Sequence, residues 1–154
     1  LIKKLKKFDE IKKWLSDRNI SFEENFDFSK NTWIKAGGVC KIFITPKSFD
    51  EVKTLVNYLN YNSFKFKVLG NMSNILIRGG IIQTIIINLR KLNSIKFEKN
   101  DEKGFSNLTV ESGVPMSKFS FFLSAKNYST FVNLIVFIDN IFKLLWVFHE
   151  FKSC

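Results

Sequence analysis

Leu5, Phe8, Ile11 and Leu15 recur at three- and four-residue intervals with lysines between them, which predicts an amphipathic helix over residues 2–18. The stretch Ile20–Lys30 mixes Phe22, Phe26 and Phe28 with polar residues in neither helical nor strand period, and reads as an irregular arm. Asn31–Gly38 then leads into an apolar strand, Val39–Ile44, stopped by Pro46. Ser48-Phe49-Asp50-Glu51 has the form of a capping box, in which Ser48 accepts from a first-turn N–H and Glu51 returns the bond. The helix behind it presents Val52, Leu55, Val56 and Leu59 on one face. A short strand, Phe66–Leu69, runs straight into Gly70-Asn71-Met72-Ser73-Asn74. Ile75–Ile77 is apolar, Gly79-Gly80 turns the chain, and Thr84–Leu89 is a β-branched strand. Ser94–Glu98 and Leu108–Ser112 form a strand pair around the turn at Asn100–Gly104, and Pro115 opens a helix to Lys126. The order α, β, α, β, β, β, β, α describes an α+β fold.

Beyond that helix the texture changes. Phe131–Phe148 is a nearly continuous apolar run, broken by Asn133, Asp139, Asn140 and Lys143. A membrane-spanning helix needs about 20 consecutive apolar residues. A central Asp costs about 2.5–3.5 kcal/mol on insertion scales, which makes the run a poor candidate for a span. The tail is expected instead to pack as a helix on apolar surface of the domain before it.

Composition alters this picture little. In 154 residues, 45% are hydrophobic, enough for a substantial core, and the length allows one domain or part of a larger one. The net charge is +10, and Lys3, Lys4, Lys6, Lys7, Lys12 and Lys13 crowd the start of the chain. Such a cluster could approach phosphates or an anionic lipid surface, but the preferred reading is a solvated helix face. No RNA-binding or zinc-finger signature accompanies it, so no nucleic-acid partner is expected. Two cysteines, Cys40 and Cys154, make neither a disulfide framework nor a metal site, and they fit a reducing cytoplasm. The basic start lacks an apolar core of the secretory type, so no secretory signal is expected. Leu1 in place of Met fits an alternative start codon or a trimmed chain.

The segment with chemical content is Gly70–Asn74. Gly70 allows a positive φ and close approach of the backbone to a bulky anion. The amides of residues 71–75 could converge on phosphate oxygens, with Ser73 and Asn74 adding neutral donors; an ordinary polar turn is the competing reading. Neither G-x-G-x-x-G opening a helix nor G-x-x-x-x-G-K-[ST] occurs, which disfavours a Rossmann domain and a P-loop ATPase.

Taken together, Asn31-Thr32-Trp33, Gly37-Gly38, Pro46, Val68–Ile77, Gly79-Gly80, Ile85–Leu89 and Glu111–Met116 resemble, in order and spacing, the UDP-N-acetylenolpyruvoylglucosamine reductases (UDP-N-acetylmuramate dehydrogenases). The resemblance implies an FAD-binding fold of the vanillyl-alcohol oxidase type. It places Gly70, Asn71, Ser73 and Asn74 at the FAD pyrophosphate, with Ile75 and Leu76 closing the loop and Met72 and Ile75 counted among the cofactor-binding residues. Gly113 falls at a strand end facing the flavin. Asn71 stands where the family usually has Gly, a change softened by the tolerance of Asn for left-handed backbone. Arg78 replaces the usual acidic residue before Gly79-Gly80.

The resemblance fades through Phe131 and Leu134 and ends at Val136, where a change of reading frame is the expected cause. The domain reading is therefore residues 1–30 as a helix and arm, 31–134 as a partial FAD-binding domain, and 135–154 as a non-family tail. The arginine, serine proton donor and glutamate on which the family relies fall on no residue of this sequence. No catalytic or metal-ligating residue is assigned, and Glu111, Ser112, Ser117 and His149 are not promoted as substitutes. The expected cofactor is FAD, held in a partial site of a protein inactive by itself. The UDP-sugar and NADPH would be partners only with a further C-terminal part, and the cytoplasm is the expected location. Two alternatives stand beside this reading, a non-catalytic FAD- or partner-binding module and a basic protein of the membrane surface.

Overall fold

The computed structural model describes residues 2–32, 34–70, 72, 75–100, 105–125, 135–139 and 143–149. The chain divides into two compact units, Leu1–Lys91 and Leu92–Cys154.

The first unit contains α1 (Ile2–Asp17), β1 (Phe22–Asp27), α2 (Phe28–Asn31), β2 (Val39–Ile44), α3 (Phe49–Tyr61), β3 (Phe66–Leu69), β4 (Ile81–Ile82) and β5 (Ile85–Asn88). Its sheet runs β1-β2-β5-β3, with β4 also paired to β2. β5 lies parallel to both β2 and β3, and all four of its residues are buried. A strand inside a parallel sheet has both faces covered, which is why it reads as continuous isoleucine instead of alternating. β4 and β5 follow one another along the same side of β2. Val39 pairs with Ile81 but Phe43 with Ile86, so one extra residue is accommodated between them.

α1 buries Ile11 and Leu15, and α3 buries Val52, Leu55, Val56 and Leu59. The two helices meet where Trp14 stacks on Tyr58, with ring centroids 4.0 Å apart. Ser48 caps α3 as expected, its side chain accepting from the Glu51 N–H at 3.2 Å. Glu51 returns the bond one residue earlier than expected, to the N–H of Lys47 at 2.8 Å. The lysines of α1 are partly engaged within the fold. Lys7 lies over the Phe64 ring at 4.5 Å, and Lys12 pairs with Asp9 at 2.8 Å and Glu24 at 3.2 Å.

Residues 20–30 are not the irregular arm expected. Phe22–Asp27 is an antiparallel edge strand on β2, and Phe28–Asn31 is a short helix. The strand period was hidden by consecutive exposed polar residues at Glu23, Glu24 and Asn25, the last with a φ of 53°. Charges at such positions keep a sheet edge from pairing with another chain.

β1 contributes Phe26 to an apolar cluster with Phe28, Cys40, Phe43, Met72 and Ile86. The Phe26 and Phe43 rings stack at 3.8 Å, and Phe28 meets both edge-on at 5.1 and 5.9 Å.

The second unit holds β6 (Ile95–Asn100), β7 (Phe105–Glu111), α4 (Met116–Ala125), β8 (Ile135–Asp139) and β9 (Lys143–His149). The sheet order is β6-β7-β9-β8, antiparallel throughout. Its core includes Leu108, Val110 and Phe119, packed with Ile95, Phe97, Val114, Phe122 and Leu123, so α4 covers one face of the sheet. The helix expected in the tail is replaced by β8 and β9. An apolar run alone does not distinguish helix from buried strand. Here β-branched and aromatic residues, together with the free edge of β7 along its whole length, favour the ladder. Among the described residues no helix is long and apolar enough to cross a membrane.

Phe43→Ala is expected to destabilise the chain by about 3–5 kcal/mol, the usual cost of removing a fully buried aromatic ring, as read from urea unfolding. A pH dependence follows from Cys40. Burial pushes its thiol up from 9.0 to about 11, only partly opposed by its hydrogen bonds to backbone. The folded state therefore holds a proton that the unfolded state releases first. This contribution is complete below about pH 9 and is lost as the pH rises through about 11. Urea midpoints across that window should fall more steeply for the natural chain than for Cys40→Ala.

Candidate functional site

In open sheets with parallel strands, ligands bind outside the carboxyl ends of the strands. Here that end belongs to β3 and β5, where Leu69 is paired with Asn88 and the chain leaves the sheet at Gly70. Gly70 is half-buried, and its carbonyl accepts from Asn88 Nδ2 at 2.6 Å. Two residues on, Met72 is buried with a φ of 56°. Non-glycine residues adopt that left-handed region rarely, and alternation of right- and left-handed residues is what turns successive amides to one side.

Met72 does not offer its side chain to a ligand. The thioether is packed in the cluster with Phe26, Phe28 and Phe43, so its part in a site is limited to the backbone. Ile75 and Ile77 pack against the same cluster, while Leu76 between them is 80% exposed. The loop is thus pinned from below at alternate positions. Asn71, Ser73 and Asn74 lie outside the described residues.

A second backbone segment is held beside this loop by glycines. A Cβ on Gly38 would stand 2.0 Å from the Gly80 carbonyl oxygen, a position no side chain can take. The Gly80 carbonyl accepts from the Val39 N–H at 2.9 Å, which draws the two strands of chain together. Gly37 has a φ of 140°, and a Cβ there would meet the Cβ atoms of Phe28 at 2.8 Å and Ile77 at 3.2 Å. Gly37 is therefore wedged between the short helix and the end of the candidate loop.

The approach to this corner is also fixed locally. Asp27 caps α2, accepting from the Ser29 N–H at 2.9 Å and the Ser29 hydroxyl at 2.6 Å. That hydroxyl bond is the first cause of an Asp27 carboxyl held below its ordinary value, with Lys30 assisting. Thr32 is buried, and its hydroxyl lies 2.8 Å from the Phe28 carbonyl and 3.3 Å from that of Ala36. Asp27, Thr32 and Asn88 were not singled out as site residues in the sequence. The Asn31-Thr32-Trp33 motif was the available signal for Thr32; a polar residue ending an isoleucine strand was the signal for Asn88.

Gly113 belongs to the second unit. It is buried in the turn after β7, where its N–H donates to the Leu92 carbonyl at 2.8 Å. Among the described residues no group of His, Cys, Asp and Glu side chains could hold a metal ion.

A parallel strand thus opens into a loop whose sequence has no acidic side chain, beside a corner lined by glycines. The chain belongs to the FAD binding domain family, which it matches over residues 40–138. It is α+β, of the vanillyl-alcohol oxidase type, and FAD is the cofactor of the family. Within that class it is similar to UDP-N-acetylenolpyruvoylglucosamine reductases. It is 33% identical to that of Oceanobacillus iheyensis over 93 residues, 60% of this chain and 30% of the relative. The Clostridium tetani protein is 37% identical over 97 residues, 63% of this chain and 29% of the relative. The chain thus spans about 30% of the length of these relatives. Cholesterol oxidase from B. sterolicum shares the fold, with a TM-score of 0.52 at 17% identity, covering 71% of this chain and 21% of that structure.

Gly38→Ala is expected to lower the melting temperature by several degrees or to prevent folding, because the clash is with backbone, which has no rotamer to yield. Gly79→Ala, which would meet nothing within 4 Å, should leave the melting temperature within about a degree or two of the natural chain.

Proposed function

We propose that this chain is the FAD-binding part of a UDP-N-acetylenolpyruvoylglucosamine reductase, the NADPH-dependent enzyme of cytoplasmic peptidoglycan precursor synthesis. The observation that carries the reading is the loop from Gly70 to Ile77 at the carboxyl end of parallel strand β3, inside the stretch that matches the family.

The residues present suit the group. Gly70 to Ile77 includes no acidic side chain, so nothing there repels a pyrophosphate. The Gly38–Gly80 approach packs backbone on backbone beside the loop, while a Cβ on Gly80 itself would meet nothing within 4 Å, so that glycine leaves main chain open to a ligand. Amides and neutral donors can hold such an anion without lysine. Gly70, Asn71, Ser73 and Asn74 would line the pyrophosphate in this reading. Met72 anchors the loop from within, and Ile75 supports it.

Bound FAD would supply the hydride-transfer chemistry, passing reducing equivalents from NADPH to the enolpyruvyl double bond of the UDP-sugar. The share of the work assigned to this chain is to bind and orient. The apolar support at Met72, Ile75 and Ile77 fixes the loop before the ligand arrives, which removes an ordering cost from binding.

The test is titration of the purified chain with FAD, followed by quenching of flavin fluorescence, with ADP and riboflavin as competitors. Saturable quenching that ADP reverses and riboflavin leaves unchanged is expected from a site built on the pyrophosphate side. No saturable binding, or competition by riboflavin as strong as by ADP, would overturn the assignment.

A further inference from the structure

Asn88 is an anomaly in its strand. It follows Ile85, Ile86 and Ile87, shares their burial, and is 0% exposed. A primary amide removed from water is costly unless its donor and acceptor are both used. Asn88 Oδ1 accepts from the Arg90 N–H at 3.2 Å, and Nδ2 donates to the Gly70 carbonyl at 2.6 Å. Arg90 N–H can only donate and the Gly70 carbonyl can only accept, so one orientation of the amide satisfies both.

The position of these bonds gives them a role. Backbone pairing of β3 with β5 closes with the Leu89 N–H donating to the Leu69 carbonyl at 2.8 Å. The next carbonyl along β3, that of Gly70, is the first one past the ladder, and a side chain takes it up in place of backbone. We propose that Asn88 is a positioning residue for the phosphate loop, holding the Gly70 carbonyl against β5 and out of the space a pyrophosphate would occupy. This inference rests on the FAD reading and adds to it the residue that sets the loop's polarity.

The physical reason is the peptide unit itself. A trans peptide carries its C=O and N–H on opposite sides, so fixing one fixes the other. Released from Asn88, the half-buried Gly70 carbonyl could swing away from β5 by rotation about the Cα–C bond, which the absence of a Cβ leaves freer in glycine than in other residues. A carbonyl lone pair turned toward phosphate oxygens would then replace attraction with repulsion. A buried side chain across the sheet prevents this more firmly than water could, since it is already ordered when the anion arrives.

The experiment uses the full chain and three proteins: natural, Asn88→Asp and Asn88→Leu. The aspartate variant keeps the shape and the acceptor for Arg90 but loses the donor while ionised. Its FAD affinity near pH 7.5 should fall at least about tenfold, equal to about 1.4 kcal/mol. Burial raises the pKa of such a carboxyl, and below that value the protonated acid can donate to Gly70 again. Its affinity should therefore recover between about pH 7 and pH 5, while the natural chain stays level and Asn88→Leu stays weak throughout. Circular dichroism at each pH restricts the comparison to folded protein. Should Asn88→Asp not fold, Asn88→Thr suits a strand and keeps a hydroxyl, but is too short to reach Gly70. The same tenfold loss is expected of it. Folded variants that bind FAD as tightly as the natural chain would overturn the role of Asn88 alone. A natural chain that binds no FAD would defeat the underlying reading, and this inference with it.

Discussion

The first unit depends on one packing arrangement, the three phenylalanines at the junction of β1, α2 and β2. Phe26 and Phe43 stack face to face, and Phe28 closes against the edges of both. Rings in such contact contribute about 0.5–1.5 kcal/mol per pair beyond the area they bury. Their more important consequence is positional. Met72, Ile75 and Ile77 from the candidate loop, and Ile86 from the central strand, are all packed on this cluster. Gly37 passes between Phe28 and Ile77 with no room for a Cβ. The described residues of the loop are thereby held on one side, with Met72, Ile75 and Ile77 packed and Leu76 exposed between the last two.

In the proposed reading, that packing is what lets the loop do without charge. A lysine brings a strong field but also a long, mobile stem. Backbone amides bring weaker dipoles, and their value depends on being ordered in advance. Ordering here comes from several independent restraints. They are the left-handed Met72 held in the core, the Gly38–Gly80 backbone approach, and the Asn88 bond to the Gly70 carbonyl. Two lysines of the basic helix α1 are engaged elsewhere. Its Lys7 and Lys12 are spent on Phe64, Asp9 and Glu24, which ties the helix to its own unit.

The second unit shows a related economy in its edges. β7 pairs with β6 on one side and β9 on the other, so the strand that precedes Gly113 is central. The apolar tail supplies β8 and β9. They complete a four-stranded antiparallel sheet where a helix was expected.

Much of this was determined by the sequence alone. Helical spacing located α1 and α3, apolar and β-branched runs between turn residues located β2, β3, β5, β6 and β7, and Pro115 marked the start of α4, because each is a local signal. Gly37-Gly38, Gly70 and Gly79-Gly80 pointed to the candidate corner, because backbone that must approach closely leaves glycine at fixed spacing. The residues that the tertiary structure alone decided are those whose role is set by distant neighbours. β1 lacks a clear period because its partner strand and its charged edge, more than its own alternation, make it a strand. The tail is β because β7 offers a free ladder, a fact invisible to any local window. Met72 read as a loop residue until the phenylalanine cluster claimed its side chain. Asn88 read as the end of a strand until a bond across 18 residues tied it to Gly70. Local sequence specifies which backbone a segment prefers; only the packed fold specifies which polar atom meets which.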